Sequence, residues 1–389
     1  MKLKQLPEDF QVEELTAVTP TAEGPYTFYC LTKRGIGTPE AIYQLCQAWK
    51  LAPQRVSYGG LKDRHALTTQ YLTIEHGPRR DYRTRQWSLR HLGQLDRPFR
   101  GSEMSGNRFT IVLRDLSRPE SSRLRTRLQE AAVDGVANYF DEQRFRSVSK
   151  EGEFVARALI AGDFARALHL ALAEPYAHDR PADKAVKARL RQHWGDWALL
   201  RASLPPGPAR RVAGYLADHP DDLAGGFTRL PHELQSLYLA AYQSKLWNQL
   251  LDRWIVRHAR LKQLIHLTPA AGGWHLLRRL GPEELAFWRD CTLPLPSARL
   301  HLEPDDPVLP VIQEILAAEG LTLDQMKIPG LRQPFFSKGQ RPAWFWPLDL
   351  TLERAADERH PGRKKIRLRF HLPRGCYATM LIKRATALA

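Results

Sequence analysis

The spacing of apolar residues along this chain shifts from strand-like to helix-like and back. Near the start, Tyr26, Phe28 and Cys30 recur every second residue, as one face of a strand does, and a first strand is expected from about Phe10. Gln70 to Ile74 and Phe109 to Leu113 are rich in β-branched and aromatic residues and read as further strands. Between them, Thr38 and Pro39 fit an N-cap and a first helical position, and Ile42, Leu45 and Trp49 follow at helical spacing. Leu124, Leu128, Ala131 and Ala132 share the face of another helix, which Gly135 is expected to end.

From about Glu151 the character is helical. Phe154 to Leu168 is Ala-rich and predicts one helix; His232 to Leu261 predicts a long one with Leu239, Leu246, Leu250 and Trp254 on its apolar stripe. The proline-rich stretch Ser203 to Pro208 breaks the block between them. Strand spacing returns late, where Ile366, Leu368, Phe370 and Leu372 alternate with Arg367, Arg369 and His371, so that one face is buried and the other is cationic. This layout predicts an α+β protein with a mixed or antiparallel sheet. Residues 1–150 and 326–389 would complete one domain, and residues 151–325 would form a largely helical inserted domain.

Composition narrows the class. The 389 residues are 43% hydrophobic, enough for a core and too many for general disorder. Lys and Arg number 58 against 42 Asp and Glu, a net charge of +16, which favours a polyanionic partner such as nucleic acid. Cys30, Cys46, Cys291 and Cys376 form no CxxC pair and have no ligand spacing with histidine, which argues against a zinc site or a disulfide framework. The charged start MKLKQLPEDF does not read as a signal peptide, and no stretch approaches the ~20 apolar residues of a membrane helix. The expectation is a soluble cytoplasmic protein. Phosphate-loop, dinucleotide-binding, nucleophile-elbow and HExxH patterns are absent, so no cofactor and no metal is expected.

Candidate chemistry centres on GLKDRHALTTQ, Gly60 to Gln70. It sets one carboxylate, Asp63, between Lys62 and Arg64, which ease its ionisation and attract phosphate. Gly59 and Gly60 permit close approach of a ligand or an unusual φ. Alternation turns Lys62 and Arg64 away from the Asp63 side chain, so a more direct charge partner is expected from elsewhere. Gly106-Asn107-Arg108-Phe109 reads as a hairpin turn with Phe109 in the core, or as a site where Phe109 stacks on a base removed from its helix and Asn107 bonds its edge. Asn138-Tyr139-Phe140 with Gln143-Arg144-Phe145 reads equally as a core edge or as a nucleotide platform. Arg79 to Arg100 carries seven arginines interleaved with Tyr82, Trp87 and Phe99. Arg363, Lys364, Lys365, Arg367 and Arg369 form a second basic run, and the two together favour a phosphate-tracking surface.

These segments together resemble the TruD family of RNA pseudouridine synthases. The likeness runs in order through Lys4 with Pro7-Glu8-Asp9-Phe10, Gly60 to Gln70, Gly106 to Phe109, Asn138 to Phe145, and Leu372 to Thr379, with the GLKDR block the most specific. The resemblance implies a pseudouridine-synthase-type catalytic domain interrupted by a TRUD-type insert, with RNA held in the basic cleft between them. It implies cofactor-free isomerisation of uridine, typically uridine 13 of tRNA, and no obligate protein partner. Asp63 would be the catalytic aspartate, attacking or deprotonating the sugar; Lys4 would pair with it; Asn107 and Phe109 would orient and stack on the base. Lys62, Arg64, Phe140, Gln143 and Arg144 would contact RNA. The chain departs from the family pattern at Ser105, Asp141 and Arg146, positions expected to line the RNA surface.

Two rival readings stand beside this one. A non-catalytic RNA-binding or RNA-remodelling protein on the same fold is motivated by those departures, and the joint presence of Lys4, Asp63, Asn107 and Phe109 argues against it. A metal-dependent nuclease would need a carboxylate cluster and divalent ions.

Overall fold

The computed structural model describes residues 1–176, 179–267 and 273–387. It divides into two compact units, one made of Met1–Val136 with Phe345–Ala389 and the other of Ala137–Trp344. Residues 137–150 and 326–344, expected with the ends of the chain, therefore belong to the second unit. Sequence period could not set this boundary, because strand Gln340–Pro342 pairs with Thr292–Pro294 inside the second unit.

The first unit is built on a nine-stranded mixed sheet. Its strands are β1 (Phe10–Thr16), β2 (Tyr26–Arg34), β3 (Val56–Tyr58), β4 (Leu67–Glu75), β5 (Tyr82–Arg83), β6 (Trp87–Leu95), β7 (Met104–Leu116), β8 (Leu348–Ala356) and β9 (Lys364–Pro373). The order is β8-β9-β7-β1-β4-β2-β6-β5, with β3 beside β4. The late strand β9 thus pairs with β7, and the end of the chain completes the sheet begun by its start. All these pairings are antiparallel except β1 with β4, which run parallel with Gln11 opposite Leu67. That exception positions the site described below.

Paired residues point to the same side of a sheet, so the row Phe370, Phe109, Val12, Thr68 and Lys33 shares one face. This face is buried. At one end α1 (Thr38–Trp49) lays Ala41, Ile42 and Leu45 on Tyr29, Leu31, Leu72 and Ile74. At the other, α2 (Arg118–Asp134) packs on β9 and on α3 (Ala378–Thr386). The opposite face is polar, with Gln11, Glu13, Arg108, Thr110, Arg369 and His371 lining an open groove. Strand β9 follows the alternation expected of it, with Ile366, Leu368, Phe370 and Leu372 buried and Arg367 and Arg369 exposed. Strand β2 does not, for both of its faces are covered: Phe28 packs with Leu95 and Phe99 on the second.

Local signals explain several element ends. Gly135 caps α2 at φ 75°, where a side chain would be strained. Gly37, not Thr38, caps α1, because Glu40 accepts its backbone N–H and the Thr38 hydroxyl is engaged elsewhere.

The second unit is mostly helical. The single helix expected over Phe154 to Leu168 is two, Val155–Ile160 and Phe164–Leu172. Gly162, at φ 74°, ends the first, and the Asp163 side chain caps the second. The long helix runs His232–His258 and buries Leu239, Leu246, Leu250 and Trp254, as its stripe predicts.

Candidate active site

Because β1 and β4 lie side by side and run the same way, the segments that lead into them meet at one end of the sheet. Lys4 precedes β1 and Asp63 precedes β4. The Lys4 ammonium donates to Asp63 Oδ2 at 2.8 Å. The side chains are 25% and 27% exposed, so the pair is held yet can be reached by a substrate. Lys4 has a left-handed backbone, φ 55°, uncommon for a residue with a Cβ and costly unless its contacts require it. Its ammonium also lies 3.8 Å from the centre of the Phe10 ring, within cation–π range.

The loop that carries Asp63 is fastened through its backbone by three buried polar side chains. Lys33 donates to the carbonyls of Asp63 at 2.8 Å, Ile36 at 2.9 Å and Lys62 at 3.3 Å. Thr38 accepts from Lys62 N–H at 3.1 Å and donates to Gln70, whose amide donates to the Gly60 carbonyl. Burial pushes the Lys33 ammonium down to about 8, against the pull of the Asp63 charge.

Lys62 does not face solvent. Its ammonium lies 2.8 Å from Glu14 Oε2 and donates to Asn107 Oδ1 at 2.7 Å, and both Lys62 and Glu14 side chains are buried. It is therefore committed inside the protein, where a phosphate contact was expected. Its neighbour Arg64 is exposed and paired with Glu40 at 2.9 Å. Asn107 is fixed through its oxygen, and its amide N–H groups have no acceptor among the described residues, so they are left to donate.

Gly106 to Phe109 is not a turn but lies within β7. Gly106 is required by close strand approach, since a Cβ there would sit 2.4 Å from the Leu372 carbonyl of β9. Phe109 is 7% exposed. Its ring stacks on Phe370 with centroids 5.4 Å apart and meets Phe10 edge-on at 6.2 Å, so it backs the ring beneath Lys4 and offers little free surface. Neither Gly59 nor Gly60 has a positive φ; a Cβ on Gly59 would collide with Met104 Sδ at 2.5 Å, while Gly60 has open space.

Phe140, Gln143 and Arg144 belong to the second unit. Asn248 clamps the Phe140 backbone, accepting from its N–H and donating to its carbonyl, both at 2.8 Å. The Arg341 guanidinium covers the Phe140 ring at 3.9 Å. Gln143 is exposed, and Arg144 donates to Ser244 Oγ at 3.2 Å. Of the three departures from the family pattern, Ser105 and Arg146 are exposed but Asp141 is buried and lines no surface.

The aromatics interleaved with the first basic run turn inward, since Trp87 and Phe99 are buried. In the second run Arg363, Lys365 and Arg367 pair with Asp115, Glu358 and Glu353. Lys33 and Glu14 were missed by sequence reasoning. Both left a signal, for each extends a buried alternation, Tyr29-Leu31-Lys33 and Phe10-Val12-Glu14.

Comparison with known proteins adds an independent line. The family described as tRNA pseudouridine synthase D (TruD) matches this chain over residues 1–266 and 289–385. A probable tRNA pseudouridine synthase D 2 of Methanocaldococcus jannaschii is 29% identical, over 99% of this chain and 91% of its own. A tRNA pseudouridine synthase D of Aquifex aeolicus is 28% identical, over 99% and 97%. The crystal structure of a putative tRNA pseudouridine synthase D from Methanosarcina mazei superimposes with a TM-score of 0.67 at 26% identity, covering 99% of this chain and 93% of that one.

Proposed function

Since the chain belongs to the TruD family of tRNA pseudouridine synthases, we propose that it isomerises uridine 13 of tRNA to pseudouridine and that Asp63 is its catalytic carboxylate. The observation that carries this reading is the Lys4–Asp63 pair, 2.8 Å apart and partly open to solvent. A fixed cation on one carboxylate oxygen orients the group and leaves the other oxygen free for chemistry.

Asp63 starts the reaction at the ribose, by attack on C1′ or by removing a proton from C2′. Either step breaks the bond from C1′ to N1 and releases uracil within the site. The uracil turns and C5 bonds to C1′, as the Asp63–C1′ bond breaks in the first route or as C2′ regains its proton in the second; C5 then loses its proton and N1 gains one. Product and substrate are isomers, so the balance needs no redox partner and no second substrate. Asn107, held by Lys62, donates to a uracil carbonyl. Phe109 acts from below by fixing Phe10. Arg64 takes a phosphate by exchanging it for Glu40, and Phe140, Gln143 and Arg144 bear on RNA from the second unit. Among the described residues no helix is long and apolar enough to cross a membrane.

The test compares wild type with Asp63→Ala on an unmodified tRNA transcript, reading pseudouridine by carbodiimide labelling and binding by anisotropy. Binding should persist within a few-fold while conversion disappears. Conversion by Asp63→Ala at the wild-type rate would remove the residue from the mechanism. Modification at another uridine would keep the chemistry and overturn the site assignment.

A further inference from the structure

Residues 267–288 lie outside the two stretches that the family matches. Part of this segment closes a groove of about 740 Å³ on the second unit, where Arg260, Lys262, Arg278 and Arg279 face Glu283 and Glu284. The hairpin Leu264–Leu267 with Trp274–Leu277 builds it. Leu264 pairs with Leu277, so the residues just beyond, Lys262 and Gln263 on one strand and Arg278 and Arg279 on the other, come together at the open end. The Arg278 N–H donates to the Gln263 carbonyl at 3.1 Å, and Arg279 turns the chain with φ 55°.

The acidic side of the groove is already satisfied. Glu284 accepts from the Gly281 N–H at 2.7 Å and from Gln263 at 2.8 Å, and lies 3.7 Å from Arg260. Its carboxyl is held below the ordinary range, first by the Gly281 hydrogen bond and further by Gln263, Arg260 and Lys262. On the cationic side Arg260 is paired with Glu284, but two groups are not satisfied. Arg278 Nε is buried without a hydrogen-bond partner, and the Lys262 ammonium has no ion pair or hydrogen bond among the described residues. A buried guanidinium N–H left unmade is costly unless an acceptor arrives, and a phosphodiester oxygen suits it because the guanidinium fork can take two oxygens at once.

We propose that Lys262 and Arg278, flanked by Arg260 and Arg279, bind a backbone phosphate of the RNA substrate, an RNA contact that draws Arg278 and Arg279 from outside the family-matched residues. The proposal rests on the RNA-modifying reading above. It is independent of the chemistry at Asp63.

The test uses the full chain as Lys262→Ala/Arg278→Ala and, separately, Glu283→Gln. An unmodified tRNA transcript is the probe, with binding followed by anisotropy across a salt series and uridine conversion measured on the same samples. The double variant should bind on the order of tenfold more weakly, with a log–log salt slope shallower by about 1 as one phosphate contact is lost. Its conversion rate at saturating RNA should match wild type. Glu283→Gln, which removes only an exposed opposing charge, should bind a few-fold more tightly, and it decides the matter if the double variant melts early. Unchanged affinity and slope in both proteins would overturn the site. If wild type binds with the expected contrast yet converts no uridine, the functional reading fails and the phosphate site stands.

Discussion

The Lys33 ammonium donates to the main-chain oxygen of Asp63 at 2.8 Å, and its other partners are the carbonyls of Ile36 and Lys62. A buried cation that serves only backbone oxygens holds a loop in place rather than neutralising a carboxylate. Burial lowers its proton affinity to about 8. Turnover should therefore be level below pH about 8 and fall above it, as the charge and one of three donors are lost. Stability moves the other way: the folded-state value lies below the ordinary 10.5, so the unfolded chain binds more protons from about 8 to 10.5, and this group's contribution to stability rises with pH there. Single-turnover rates and urea unfolding at pH 7 and 9 separate the two effects, and Lys33→Met should lack the alkaline limb.

Replacing Lys4 by Met keeps most of the apolar stem beside Phe10 but removes the charge from Asp63. Conversion at saturating RNA should fall by about 100-fold, the low end of what a positioned acid or base contributes, with RNA affinity changed less than twofold. A fall confined to affinity would make Lys4 a phosphate contact instead.

The Lys62–Glu14 pair is buried, so removing one partner strands the other. Glu14→Ala should cost about 3 to 5 kcal/mol in urea unfolding. Lys62→Met strands the fully buried Glu14 carboxylate, so it should cost a similar amount, and it should also lower conversion, because Asn107 loses the donor that fixes it.

Phe109→Ala should destabilise the protein by about 3 to 5 kcal/mol, the usual cost of emptying a buried aromatic site, because its ring fills the space between Phe10 and Phe370. Phe109→Leu should recover most of that stability and most of the activity. Full stability with lost activity in Phe109→Leu would instead point to direct stacking on the base.

Arg114 joins the two ends of the chain. It holds Asp9 before β1 at 2.8 Å, and Asp357 and Glu358 beyond β8 at 3.0 and 2.9 Å. Arg114→Met leaves buried carboxylates unpaired and should cost about 3 to 5 kcal/mol. Hydrogen bonding from Lys365 and further contacts with Arg114 lower Glu358 to about 2. Its stabilising contribution is present above pH about 4.5 and lost as pH falls toward 2, so the variant should also show a flatter acid limb in thermal melts.

The amino-acid order alone determined several elements and singled out Asp63 as the proposed centre of the chemistry. Alternation marked β9, an apolar stripe marked the helix His232–His258, and GLKDR marked Asp63, because each depends on residues near one another in the chain. What faces what was decided only by the tertiary structure. Lys4 meets Asp63 because one strand pair out of an otherwise antiparallel sheet runs parallel, and nothing local encodes that choice. The same pairing carries Lys62 inward to Glu14 and Asn107, turning an expected RNA contact into a buried prop, while the aromatics of the first basic run are drawn into the core. Local sequence sets backbone period and charge; burial depends on which strands become neighbours, and that is settled by the summed packing of segments far apart in the chain.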